Sequence, residues 1–169
     1  MISPADYYAI SELGRVVELS DGNVEFSDPP TCVHQRILLR LSVALHTFVT
    51  ARKLGEVCFG PLPVELWSGK IREPDLMFVS TAHASRIGVY LGVPDLAVEI
   101  LSPGSVYKDR EVKRKEYAQA GVAEYWIIDP EARTVDIYEV GRHFAGTDVL
   151  TSELFPGFSI PLAELFAEK

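Results

Sequence analysis

Apolar side chains recur at three- and four-residue steps between residues 33 and 48: Val33, Ile37, Leu38, Leu41, Leu45 and Phe48. On a helix of 3.6 residues per turn they form one stripe, so the spacing predicts a helix from residue 31 or 33 to residue 53, with Gly55 as its stop signal. Before it, residues 15–19 and 23–26 flank Ser20, Asp21 and Gly22. Asp-Gly is a favoured turn pair, so a short hairpin is expected, broken off by Asp28, Pro29 and Pro30. After the helix come three segments of strand character: 56–59 running through Gly60 and Pro61 into 62–66, then 71–80, then 93–101. The third is almost continuously apolar, as befits a central strand covered on both faces. Residues 81–92 read as loop. Ser102, Pro103 and Gly104 break the chain, and a second helix is expected from 107 to 120, stopping at Gly121. Residues 124–129 form a further buried strand that turns at Asp129 and Pro130. Residues 134–140 and 148–154 read as closing strands, and 162–167 as a short amphipathic helix. Helix, three strands, helix, strand predicts an α/β sandwich around a mixed sheet.

Composition adds bounds. With 169 residues, 47% hydrophobic and 24% charged, the chain is long enough for one domain spanning 1–169 with a real core. Cys32 and Cys58 show neither metal-type spacing nor a disulfide framework, so free thiols in a reducing compartment are expected. The first residues lack a basic and then apolar leader, and no apolar run reaches the roughly 18 residues of a bilayer span. The expected location is the cytoplasm, away from membranes. The net charge of −8 is opposite to that of a phosphate-binding face, although a clustered acidic site that takes up cations accounts for part of it.

Glu99 stands out chemically. It lies in LAVEIL at 96–101, where every neighbour favours a dry environment. An ionised carboxylate buried alone costs several kcal/mol, so Glu99 must be paired with a base, protonated or bound to a cation. Asp75 ends REPD at 72–75 and begins the strand pattern of residues 75–79. Pro74 has no amide hydrogen and marks an edge, bulge or strand start, which frees the next side chain to face a cleft. Two carboxylates on neighbouring strands suit Mg²⁺, which keeps several waters and shares substrate phosphates. If the pleat is undisturbed, Glu73 shares the face of Asp75 and could serve as an outer ligand. Asp95, after Pro94, reads as a turn residue. Phosphate-cradling glycine loops, nucleophile elbows and Cys/His zinc spacings are absent from the sequence.

These pieces resemble the PD-(D/E)xK nuclease superfamily, and the wider run resembles a bacterial branch of restriction-endonuclease-like proteins long catalogued as a domain of unknown function. The matching residues are ELSDG at 18–22, His34 opening the first helix, EPD at 73–75, VEILSP at 98–103, DREVK at 109–113 with Tyr117, and GVAEYW at 121–126 through Asp129 and Pro130. They occur in order across residues 12–140 or so. The resemblance implies a restriction-endonuclease-like core (αβββαβ), a mixed sheet flanked by helices, with an N-terminal hairpin and extra C-terminal strands. It implies hydrolysis of nucleic-acid phosphodiesters, DNA foremost, with Asp75 and Glu99 holding Mg²⁺ or Mn²⁺, and by analogy a homodimer.

One position departs from the superfamily pattern. Its lysine stands two residues after the Glu, and here that residue is Leu101. Lys113 is the expected replacement: Asp109, Lys113, Tyr117 and Ala120 share one helix face, whereas Lys115 points about 200° away. The alternative for Lys113 is a simple i,i+4 bridge to Asp109. His34 either touches a metal-bound water or the phosphate, or hydrogen-bonds within the core. Glu18 either closes the site from the hairpin or is an ordinary exposed strand glutamate. Tyr117, Tyr125 and Trp126 are expected in the core. Leu101 and the acidic charge leave open a non-catalytic member of the fold that binds nucleic acid or protein, and an acidic cleft for a basic peptide is a third reading.

Overall fold

The computed structural model describes residues 2–3, 6–7, 17–26 and 29–168. The outer parts of the expected hairpin (Arg15, Val16) and the Asp28 breaker lie outside them. The hairpin itself is β1 (Val17–Ser20) and β2 (Asn23–Phe26), antiparallel, with Asp21 and Gly22 both at positive φ in the turn. The first long helix, α1, is Cys32–Arg52. Thr31 caps it by accepting a hydrogen bond from the backbone N–H of His34 at 3.1 Å, which ties the start of the helix to the histidine. Its stop differs from expectation. Lys53 adopts the left-handed conformation (φ 55°), and Gly55 begins the next strand. A Cβ at Gly55 would stand 2.0 Å from the Val79 carbonyl oxygen, so this glycine serves close strand approach rather than helix termination.

The six-stranded sheet runs β10-β9-β8-β7-β6-β3, built from β3 (Gly55–Phe59), β6 (Leu76–Ser80), β7 (Leu96–Ile100), β8 (Glu124–Asp129), β9 (Thr134–Ile137) and β10 (Arg142–Phe144). β7 and β8 are parallel and the other neighbouring pairs are antiparallel, so the sheet is mixed as expected. The expected strands 56–66 and 71–80 are each cut in two. Their inner halves, β4 (Val64–Trp67) and β5 (Lys70–Arg72), leave the main sheet and join the hairpin in a second sheet ordered β2-β1-β5-β4. The cut between β5 and β6 falls on Glu73, Pro74 and Asp75, where proline cannot supply a ladder hydrogen bond. Residues expected as loop include a 3₁₀ helix, Thr81–Arg86. The C-terminal part holds β11 (Val149–Thr151), β12 (Ser159–Pro161) and α3 (Leu162–Leu165); the pairing of β11 with β12, and β10 itself, were not anticipated.

Strand alternation divides the core into two layers. On one face Leu76, Phe78, Leu96, Val98, Ile100, Trp126 and Ile128 meet Ile37, Leu41 and Leu45 of α1 together with Phe155 and Phe158. On the other, Met77, Val79, Ala97, Leu101, Tyr125 and Ile127 meet Tyr117 of the second helix. That helix opens with a π-helical segment, Lys108–Lys113, which runs directly into α2 (Arg114–Ala120), with Gly121 as its left-handed cap. Buried Glu124 fastens the C-terminal segment, accepting hydrogen bonds from Trp126 Nε1, Ser152 Oγ and the N–H groups of Glu153 and Leu154. Among the described residues no helix is long and apolar enough to cross a membrane.

Candidate active site

The site lies where the two sheets part. β6 and β7 are antiparallel with Leu76 opposite Val98, and the Asp75 N–H continues the ladder onto the Val98 carbonyl at 3.0 Å. One further step along this register sets Asp75 beside Glu99. Glu99 alternates with Ala97 and Leu101 and therefore faces the layer covered by the second helix. This explains Leu101. The motif position for lysine is buried under the same helix, and the ammonium that meets Glu99 comes from that helix.

Lys113 Nζ stands 2.8 Å from Glu99 Oε1, 3.0 Å from Glu18 Oε1 and 3.2 Å from Asp109 Oδ1. The contact to Asp109 is ionic but lacks hydrogen-bond geometry, leaving that oxygen without a hydrogen bond. Both alternatives for Lys113, reaching Glu99 and bridging to Asp109, are thus present together. Tyr117, buried as expected, donates its hydroxyl to the same Glu99 oxygen at 3.1 Å. Lys115 is exposed. Asp75 is held through Oδ2, which accepts from the Ile100 N–H at 2.7 Å and lies 3.1 Å from His34 Nε2. A carboxylate oxygen accepts, so Nε2 is the donor, and the buried Nδ1 has no hydrogen-bond partner.

Burial sets the electrostatics. Desolvation pushes the Glu99 carboxyl well above its ordinary range; Lys113 opposes this, while Asp109, Asp75 and Glu18 add to it. Burial would lower the Lys113 ammonium, yet Glu18, Glu99 and Asp109 together hold it well above its ordinary value. Burial would likewise raise Glu18, but Lys113, Arg72 and Lys108 bring it down to about 2. Lys113 thus serves Glu18, Glu99 and Asp109 together, and Glu99 is the carboxyl whose ionisation its surroundings oppose.

Glu18, for which the sequence leaves open closing the site or lying exposed, is fully buried. It joins the centre to a network that the sequence did not reveal. Arg72, also fully buried, pairs with Glu18 at 3.2 Å, Glu25 at 3.0 Å and Glu116 at 2.7 Å, and Lys108 pairs with Glu18 and Glu25. The available signals were weak: an arginine beside the acidic motif, and Glu116 one turn beyond Lys113. Glu73 lines the cleft, but Oε1 accepts from Tyr7 at 2.7 Å, its N–H contacts Glu18 at 3.3 Å, and Oε2 is buried without a hydrogen bond. Burial raises the Glu73 carboxyl, the Tyr7 hydroxyl opposes that rise, and Glu18 adds to it. Asp95 lies apart as a buried cap, accepting from the Ser80 N–H at 2.7 Å and paired with His83 at 2.6 Å.

Asp75, Glu99, Lys113, His34, Glu73 and Asp109 open onto one cleft of about 280 Å³. Among the described residues no three His, Cys, Asp or Glu side chains form a ready-made metal cage. Mg²⁺ does not require one, since it is commonly held by one or two carboxylates with waters and substrate oxygens. The donor set fits that mode: Asp75 makes its bonds through Oδ2 and Glu99 through Oε1, so Oδ1 and Oε2 stand outside them.

A family profile, Uma2, described as "Putative restriction endonuclease", matches residues 4–163. Among solved structures, the chain resembles one described as a "putative nuclease belonging to DUF820" from Anabaena variabilis ATCC 29413. The TM-score is 0.84 and the identity 19%, over 99% of this chain and 98% of that one. At this identity the likeness establishes the restriction-endonuclease-like fold. A search of curated proteins gives no match.

Proposed function

We propose that this chain, which belongs to the Uma2 family, hydrolyses nucleic-acid phosphodiesters, DNA foremost, with Mg²⁺ or Mn²⁺ held by Asp75 and Glu99. The observation that carries the reading is the pairing of these carboxylates across adjacent strands of one cleft, with the Lys113 ammonium 2.8 Å from Glu99. A bound divalent cation would supply Lewis-acid polarisation of the phosphoryl oxygen and a more acidic attacking water. The chain's own residues do the rest. Ile100 and His34 fix Asp75 through one oxygen and leave the other for ligation. Lys113 keeps its proton, because three carboxylates surround it, and offers a fixed positive charge to the phosphate as negative charge grows there. Glu18 retains Lys113 when Glu99 turns to a cation, so the lysine need not be lost to solvent.

The test compares cleavage of DNA and RNA by wild type, Asp75→Ala and Lys113→Met, alongside thermal shifts with Mn²⁺. Wild type is expected to cleave only with metal and to gain thermal stability from it. Asp75→Ala should lose both responses. Lys113→Met should keep a Mn²⁺ shift and lose cleavage by about 100-fold or more. If wild type shows neither cleavage nor a metal-dependent shift, the reading fails. Leu101 at the superfamily's lysine position favours a second reading, a binding module without hydrolysis; it predicts nucleic-acid binding with no cleavage in any metal.

A further inference from the structure

Resting on the nuclease reading, we infer that Lys108 is a second phosphate-binding residue of the cleft, releasing Glu18 and Glu25 to take the phosphate beside the scissile one. The cleft is short of positive charge. Among the described residues its lining holds the carboxylates Glu73, Asp75, Glu99 and Asp109 against two ammonium groups, Lys108 and Lys113. An entering strand brings further negative charge, and each phosphate is held by exchanging small counter-ions for a protein cation.

The two lysines stand differently. Lys113 is enclosed among three carboxylates, its side chain 6% exposed, whereas that of Lys108 is 25% exposed. They share Glu18: Lys113 Nζ lies 3.0 Å from Oε1, and Lys108 Nζ pairs with Oε2. One carboxylate therefore sets the two ammonium groups side by side, Lys113 inward at Glu99 and Lys108 outward toward solvent. The same two residues bound the π-helical segment, whose i→i+5 turn spans from one to the other. A strand laid past this pair meets the inner cation at the reacting centre and the outer one a phosphate away, nearer the mouth.

Lys108 is free to move because of how its partners are held. Without it, Glu18 keeps Lys113 and, at 3.2 Å, Arg72; Glu25 keeps Arg72 at 3.0 Å and is itself 35% exposed. Burial raises the Glu18 carboxyl, and the attraction that outweighs it comes from Lys113 first, then Arg72, and only then Lys108. Withdrawing Lys108 thus leaves no buried carboxylate without a cation, which is the costly outcome. Its pair with Glu25 (2.6 Å) lies toward solvent, where an ion pair contributes little. Lysine suits the exchange, with a compact ammonium and three rotatable donors on a flexible stem.

The experiment titrates a labelled oligonucleotide, alone and annealed to its complement, by fluorescence anisotropy in Ca²⁺ over a range of salt. It compares wild type, Lys108→Met, Lys108→Arg and, as an exposed control, Lys115→Met. On whichever form binds, Lys108→Met should weaken binding about tenfold and lower the slope of log affinity against log salt by about one. Lys108→Arg should recover both, and Lys115→Met should change neither. Lys108→Met should also fold with a thermal midpoint near that of wild type. In Mg²⁺ it should raise KM about tenfold with kcat within about twofold, as loss of uniform binding does. An unchanged salt slope, a Lys108→Met protein that unfolds, no recovery with arginine, or no binding by wild type would each overturn the inference. Cleavage separates it from the nuclease reading. Metal-dependent cleavage with an unchanged slope leaves the nuclease and removes the role of Lys108. A lowered slope without cleavage in any metal supports Lys108 and removes the nuclease.

Discussion

Lys113 is one cation among Glu18, Glu99 and Asp109, and how those three divide its charge governs both stability and chemistry. Glu18 has its folded pKa brought to about 2 from an ordinary 4.5, so it contributes stability above the ordinary value and loses it as pH falls toward 2. The contribution at neutral pH is on the order of 3 kcal/mol. Glu99 has the opposite sign: its raised carboxyl makes folding less favourable as pH rises past its ordinary range, because the folded site resists its ionisation. Glu18→Gln should therefore destabilise the protein by that order at pH 7 and by roughly half or less at pH 3. Denaturant unfolding at the two pH values checks it, and an equal loss at both would show that ionised Glu18 is not the source.

At the scale of elements, the site depends on where strands stop. β5 and β6 are separated by Glu73, Pro74 and Asp75, and this break turns Asp75 toward the cleft just before the β6–β7 ladder fixes it opposite Glu99. The end of β3 braces that break. The Gly60 N–H donates to the Asp75 carbonyl at 2.9 Å, and a Cβ on Gly60 would stand 2.8 Å from the Pro74 carbonyl oxygen. Backbone meets backbone there, so neither side can yield as a flexible side chain would. Gly60→Ala should cost about 1–3 kcal/mol in unfolding experiments and reduce metal-dependent cleavage more than stability alone accounts for. An alanine variant with wild-type cleavage would show that this contact does not set Asp75. The second helix contributes differently. Its π-helical opening still brings Asp109, Lys113 and Tyr117 to the buried face, so the phase argued from an α-helical period holds across it.

Across the whole molecule, buried charge ties the small sheet to the second helix. Arg72 on β5 holds Glu18 and Glu25 of the hairpin and Glu116 of α2, so one guanidinium links three elements around the site. Burial opposes its charge, but hydrogen bonding to Glu116 and attraction from Glu18, Glu116 and Glu25 raise its pKa and keep it charged. Removing one partner from a buried network leaves the others uncompensated, and that loss exceeds what the intact network gains over apolar packing. Arg72→Met should destabilise the protein by about 3–5 kcal/mol. Chemical denaturation measures this, and a loss below about 1 kcal/mol would mean that Lys70 and Lys108 suffice as counter-ions.

The sequence by itself determined the succession of helices and strands along the core, the apolar face of α1, the burial of Glu99 and the inward phase of Lys113. Each follows from a local period, two residues for strands and 3.6 for helices, or from the cost of burying charge. It placed Asp75 near a break because proline leaves a gap in any ladder. Only the tertiary structure decided that the strands expected at 56–66 and 71–80 would divide between two sheets, since each half alone fits a strand and sheet membership is a non-local choice. It likewise decided that Glu18 is buried against Lys113, that Arg72 ties hairpin to helix, and that the helix covering Leu101 supplies the lysine. Those pairings join residues from 14 to 95 positions apart, and no periodicity along the chain records which partner a buried charge will meet.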